Sequence, residues 1–186
     1  SATIYKLEKE QKIQQQQQTD SIVIFEFLKN NQFTNFKLDS NGVWYMRTKF
    51  GTGKKIEKGN SISIHYKGYL LSRVEFDNSY LRNKPLNFTI GKNQVIDGLD
   101  KGILHFHFGD KGTIIIPSSL AYGDRLVGAI PANSVLLFDV EIIFMFPWAI
   151  NILELGYYGL FKMFIFMGLL FAGLIYLYKK KALSWD

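Results

Sequence analysis

Three runs decide the fold: Val74-Glu75-Phe76-Asp77-Asn78-Ser79, Gly91-Lys92-Asn93-Gln94-Val95-Ile96-Asp97-Gly98-Leu99 and Leu120-Ala121-Tyr122-Gly123. The second opens a short helical pattern from Ile96 to Leu104, with Leu99 and Ile103 on one side and Asp97 and Asp100 in the first turn, where the helix dipole favours acidic groups. Around these runs the pattern is that of strands. Val43 to Thr48 follows the turn signal Asn41-Gly42, and Ser61 to Tyr66 alternates with Ile62, Ile64 and Tyr66 on one face. Lys111 to Pro117 and Ser134 to Phe144 add two more strands, the second rich in Val, Leu, Ile and Phe. Antiparallel strands with a single short helix predict an α+β domain over residues 43–146, a twisted antiparallel sheet wrapped on one helix, with a pocket between that helix and the concave face.

Composition narrows the chemistry. Of the net charge of +6, residues 1–150 carry 18 basic and 14 acidic side chains, and residues 151–186 carry 4 and 2. A globular part so nearly balanced, without a basic stripe, argues against nucleic acid as a partner. The absence of cysteine excludes disulfides, thiolate metal sites and a thiol nucleophile. His105 and His107 alternate at strand spacing and could share a face, but His65 is remote in sequence and no carboxylate stands beside them at ligand spacing, so no metal is expected. Gly51-Thr52-Gly53-Lys54 lacks the spacing of a phosphate loop and reads as a turn, and Ser118-Ser119 lacks the glycines of a nucleophile elbow.

The ordered set of motifs from about Gly51 to Ile143 resembles the FKBP-type peptidyl-prolyl isomerases. It comprises His65-Tyr66, Phe76-Asp77, Arg82-Asn83-Lys84-Pro85, Val95-Ile96, Ala121-Tyr122-Gly123, Ile130-Pro131 and Leu137-Phe138-Asp139-Val140-Glu141. The resemblance implies an FKBP-like fold and an isomerase acting on proline-containing polypeptide clients, with no cofactor. It places Tyr66, Phe76, Val95, Ile96, Leu99, Tyr122, Ile130 and Phe138 around a prolyl ring, with Leu99 as the floor. It gives the Ile96 N–H and the Tyr122 hydroxyl to substrate carbonyls, and it makes Tyr66 and Arg82 neighbours of Asp77. Leu99 stands where many members have tryptophan, and Leu86, after Lys84-Pro85, where many have phenylalanine. The loop from Tyr122 to Ile130 is one residue shorter than in well-known small members, and its tip, Asp124-Arg125-Leu126-Val127, lacks their histidine.

The ends of the chain extend beyond this domain. Residues 1–42 form a helical extension: a helix is expected over residues 4–30, rich in Lys, Glu and Gln, with Ile22, Phe25 and Leu28 on one face and Asn30-Asn31 as its stop. It reads as a polar spacer; the sharper alternative is a dimerising or partner-binding helix. After Phe146-Pro147-Trp148 and a linker over 147–156, Tyr157 to Tyr178 is a stretch of 22 residues interrupted by one charge, Lys162. At 1.5 Å per residue such a helix spans roughly 33 Å, enough for a hydrocarbon core of about 30 Å. Tyrosines bracket it, and Lys179-Lys180-Lys181 begins a basic tail, 179–186, so a single-pass transmembrane helix is expected in a lipid bilayer. The positive-inside bias puts the tail in the cytoplasm and the isomerase domain outside it, in a periplasm or lumen, and Ser1 is consistent with a removed signal. The alternative is a tail anchor with a cytosolic domain. Two function classes remain open at this point: a membrane-anchored prolyl isomerase, and a non-enzymatic FKBP-like subunit or docking module of a larger membrane complex.

Overall fold

The structure is a computed structural model that describes residues 2–143 and 156–179. These stretches belong to two separate compact units. The first begins with helix α1 (Ala2–Asn30) and continues through strands β1 (Lys37–Leu38), β2 (Trp44–Lys49), β3 (Ser61–Leu70), β4 (Glu75–Asn78) and β5 (Leu86–Thr89). Helix α2 (Asp97–Ile103), strand β6 (Lys111–Ile116), a 3-10 turn at Ser118–Leu120 and strand β7 (Leu136–Ile142) complete it. The strands form one sheet in the order β1-β2-β6-β7-β3-β4, and β5 also pairs with β3. Every pairing is antiparallel. The ten-residue β3 makes this possible, because its first half pairs with β5 through Ile62↔Phe88 and its second half with β4 through Gly68↔Asp77. The expected α+β architecture, a sheet closed on one short helix, is the one observed.

Small residues let α2 approach the sheet. Gly98 and Gly102 stand one turn apart on the helix face that meets Ile116 and Ile114, two residues apart on one face of β6. A Cβ at Gly98 would overlap the Ile116 side chain, and one at Gly102 would lie 2.7 Å from Ile114 Cγ2. Leu99 and Ile103 are thereby buried against Ile62, Ile64, Ile114, Leu136 and Phe138 in the main core.

The reading of α1 as a polar spacer is corrected. Its second half docks on the opposite face of the sheet, where Ile24 and Leu28 form a second core with Ile115, Val135 and Leu137. The expected face was also wrong in part: Leu28 is buried, but Ile22 and Phe25 are about 60% exposed. Two buried aliphatic side chains contribute about 1.5–3 kcal/mol each, so this docking amounts to several kcal/mol. The histidines need correction too. Neither lies on a strand of the sheet: His105 is in the turn leaving α2, stacks on Tyr45 and lies 3.2 Å from Asp39, whereas His107 forms an isolated β-bridge with Lys55 and lies 3.7 Å from Asp110.

In the second unit, α3 (Gly156–Lys179) is a 24-residue helix on which Phe161, Phe164, Leu169 and Phe171 are exposed. Among the described residues no helix is long and apolar enough to cross a membrane, so a helix stands where the span was expected and the span itself is not shown. Some side chains of α3, Met163 and Leu174 among them, lie outside the described residues. The same is true of Phe146-Pro147-Trp148, the linker that it opens, and Lys180-Lys181.

Candidate active site

The site begins where a strand of the sheet carries no side chain. Gly68 of β3 pairs with Phe138 of β7 on one side and Asp77 of β4 on the other. A Cβ there would lie 2.7 Å from the Phe76 ring and 3.2 Å from the Phe138 ring, so the two aromatics lean over the glycine and meet edge to face, their centroids 5.8 Å apart. Tyr66, one step along the same face of β3, packs its ring 5.9 Å from that of Phe138. Three strands thus contribute one aromatic wall. Gly68 went unnoticed in the sequence, because its role depends on a register that no local pattern reveals.

The rest of the cluster comes from α2 and the loops around it. Leu99 is buried on α2, and Val95 and Ile96, just before that helix, are partly buried against the same core as Phe76, Leu86, Ala121 and Tyr122. The turn that carries Val95 and Ile96 is tied at both ends. The Asp100 carboxylate accepts the Gly91 N–H at 2.8 and 3.0 Å, and the Gln94 side-chain oxygen accepts the Thr89 N–H at 2.7 Å. Ile96 caps α2, and its carbonyl accepts the N–H groups of Leu99 and Asp100 at 3.0 and 3.2 Å. An N-cap N–H lies outside the helical ladder, which leaves it available to a ligand carbonyl. Ile130 reaches the core from a tight turn in which Val127 and Ile130 exchange both backbone hydrogen bonds around Gly128, whose φ is +56°.

One polar network crosses this apolar surface. The Tyr66 hydroxyl donates to Asp77 Oδ2, Arg82 Nη1 donates to Asp77 Oδ1, and Arg82 Nη2 donates to the Tyr66 oxygen at 3.1 Å. The Asn78 N–H adds a bond of 2.7 Å to Asp77. Burial would raise the Asp77 pKa, but the bonds from Tyr66, Arg82 and Asn78 outweigh it and hold the carboxyl below its usual value. Burial and the Asp77 bond push the Tyr66 phenol above its usual value. At neutral pH, then, the site holds a carboxylate whose acceptors are occupied and a phenol that keeps its proton; neither is set up as a general base.

Of the residues singled out from sequence, Tyr66, Phe76, Leu86, Val95, Ile96, Leu99, Tyr122, Ile130 and Phe138 all belong to one packed cluster. Asp77 and Arg82 join it through Tyr66. The cluster combines four aromatic residues, Tyr66, Phe76, Tyr122 and Phe138, with five aliphatic ones, and its polar network runs through Tyr66. The class of domain it defines is an apolar binding module whose polar side chains Tyr66, Asp77 and Arg82 are bonded to one another.

Comparison with known proteins agrees. The family model for the FKBP-type peptidyl-prolyl cis-trans isomerases matches residues 52–143. FK506-binding protein 1A of Neurospora crassa is 47% identical over 91 residues, which are 48% of this chain and 76% of that protein. The FKBP-type isomerase FkpA of Buchnera aphidicola is 37% identical over 118 residues, 63% of this chain, and the chain spans 48% of that relative's length. The crystal structure of AtFKBP13 superposes with a TM-score of 0.57 at 41% identity, covering 61% of this chain and all of that one. The chain belongs to the FKBP-type peptidyl-prolyl cis-trans isomerases. A second family model, NADH-ubiquinone/plastoquinone oxidoreductase chain 3, matches residues 131–185 and overlaps β7, which the sheet pairing assigns to the isomerase domain.

Proposed function

We propose that this chain is a membrane-anchored isomerase of X-Pro bonds in unfolded or extended polypeptide clients. The observation that carries the proposal is the aromatic wall of Tyr66, Phe76 and Phe138, packed in one cluster with Val95, Ile96 and Leu99 and joined to the closed Tyr66–Asp77–Arg82 network. Rotation about an X-Pro bond sacrifices amide resonance, with a barrier of about 18–20 kcal/mol and a timescale of tens to hundreds of seconds. The twisted amide has less charge separation than the planar one. A water-poor aromatic surface therefore favours the twisted form, and each tenfold in rate needs about 1.4 kcal/mol of that preference. The Ile96 N–H and the Tyr122 hydroxyl hold the flanking carbonyls, and Asp77 with Arg82 fixes the Tyr66 ring as part of the wall. Leu99 in place of a tryptophan gives the floor a softer, less aromatic surface. The decisive measurement is cis-trans exchange of an X-Pro peptide with a fragment of residues 1–147. Acceleration that Phe138→Leu weakens is expected, and a folded fragment that leaves the exchange rate unchanged would overturn the reading.

The membrane part rests on Tyr157 to Tyr178, apolar but for Lys162 and flanked by tyrosines, within the 24-residue α3. Lys162 lies near one end, where its long stem carries the ammonium towards the headgroups. With Lys179-Lys180-Lys181 on the cytoplasmic side, the isomerase domain faces a periplasm or lumen. The second reading is an FKBP-like module held within a larger membrane assembly. It draws on the match of residues 131–185 to a chain of a multi-chain oxidoreductase. Purification of the full chain in mild detergent separates the two, since a fixed stoichiometric partner favours the subunit.

A further inference from the structure

We propose that Asp20, on the N-terminal helix, is a positioning residue for the Tyr122 arm of the site. This rests on the isomerase reading above. The first N–H of the 3-10 turn at Ser118–Leu120 has no side-chain cap from its own neighbourhood; the residue before it is Pro117. Asp20 supplies the cap from 98 residues away: one carboxylate oxygen, Oδ2, accepts both the Ser118 N–H and the Ser118 hydroxyl at 2.7 Å. Gln16 donates to the other oxygen at 2.8 Å and fixes the carboxylate in plane. Asp20 is 2% exposed and Ser118 1%, so water does not compete for these bonds.

The consequence lies one turn further on. The Ser118 carbonyl accepts the Ala121 N–H at 3.0 Å and the Gly123 N–H at 2.9 Å, the two residues that flank Tyr122. The Gly123 carbonyl in turn accepts the Asn133 N–H at 2.7 Å, at the far end of the same loop. The backbone on both sides of Tyr122 therefore hangs on Ser118, and Ser118 hangs on Asp20. Between Leu120 and Leu136 no residue belongs to a strand of the sheet, so this anchor does for the loop what ladder hydrogen bonds do for the aromatic wall. α1 is thereby part of the site's construction rather than a spacer in front of it.

The Tyr122 hydroxyl would hold a substrate carbonyl in ground state and transition state alike, so a loose Tyr122 costs uniform binding and appears in KM. The test uses the full chain with four variants. Asp20→Ala should raise KM for an X-Pro peptide at least fivefold with kcat within twofold. It should also speed amide hydrogen exchange at Ala121 and Gly123 at least tenfold, with Tyr66 and Val140 on β3 and β7 unchanged. Asp20→Asn, whose amide oxygen can accept both Ser118 bonds, should restore most of each. Ile24→Ala weakens the apolar docking of α1 but keeps the carboxylate, and should lower stability without the change in KM. If Asp20→Ala does not fold, Ser118→Ala, which removes one of the two bonds, should give the same pattern at smaller amplitude. Identical behaviour of Asp20→Ala and Ile24→Ala, or unchanged exchange at Ala121 and Gly123, would overturn the positioning role. A wild-type chain without isomerase activity refutes the isomerase reading alone, because the exchange experiment still decides whether Asp20 holds the loop.

Discussion

Asp77→Ala should be far more costly alone than beside Tyr66→Phe. Removing the carboxylate leaves the Tyr66 hydroxyl, on a residue only 7% exposed, without its acceptor, and an orphaned buried hydroxyl costs about 1–3 kcal/mol. The Arg82 pair adds little, because the two side chains are 49% and 33% exposed and such pairs contribute about 0–1 kcal/mol. Loss of the Asn78 N–H bond brings the total for Asp77→Ala to roughly 2–4 kcal/mol. Tyr66→Phe removes the donor instead and leaves Asp77 with Arg82 and Asn78, at about 1 kcal/mol. The double variant has no orphaned hydroxyl, so the coupling should be about 1–2 kcal/mol in the direction that makes the pair less harmful than the sum. Urea unfolding of residues 1–147 measures all four corners of the cycle. Exchange kinetics on the same samples should show kcat falling more than KM changes, since in the proposed mechanism the network shapes the wall that meets the twisted amide. Additive unfolding energies within about 0.3–0.5 kcal/mol would refute the network as described.

Other outcomes follow from the same geometry. Asp77 has a lowered folded pKa, so the stability it contributes should be fully present above its unfolded value of about 3.9 and be lost as pH falls through the lower folded value. Activity should accordingly stay level from about pH 5 to 9, and an inflection that follows ionisation of Asp77 near neutrality would count against the assignment. Gly68→Ala should displace the Phe76 ring and lower kcat, with circular dichroism unchanged. Gly98→Ala should instead force α2 off β6 and destabilise by about 1–3 kcal/mol, read by denaturant unfolding. The full chain should resist alkaline extraction from membranes and a chain ending at Pro147 should not; equal release of both would remove the anchor.

How far the sequence could be read depends on where each signal is stored. Ile62, Ile64 and Tyr66 alternate within one strand, and Leu99 and Ile103 sit one turn apart on one helix, so β3 and α2 were legible from neighbours in sequence. The short β4 and β5, of four residues each, carry no period long enough to register and are held by pairing with β3. The apolar run Ile22-Val23-Ile24-Phe25 offers several faces at once, and the sheet selects the one that includes Ile24 and Leu28. The site residues were legible because their motifs stand in order, although neither the Tyr66–Asp77–Arg82 bonds nor the space at Gly68 can be derived from spacing.

Asp20 marks the limit of such reading most sharply. A carboxylate after five glutamines has the local signature of a solvated helix surface, and hydrophobic periodicity assigns it there by default. It is buried instead against Ser118, whose N–H, at the start of the 3-10 turn that follows Pro117 and β6, donates to it. Two unremarkable segments therefore become a single polar contact only once the sheet has brought β6 beneath α1. Contacts of this kind are specified by the fold as a whole, and the substitution Asp20→Asn, nearly silent by composition and volume, separates the acceptor geometry from the charge at that contact.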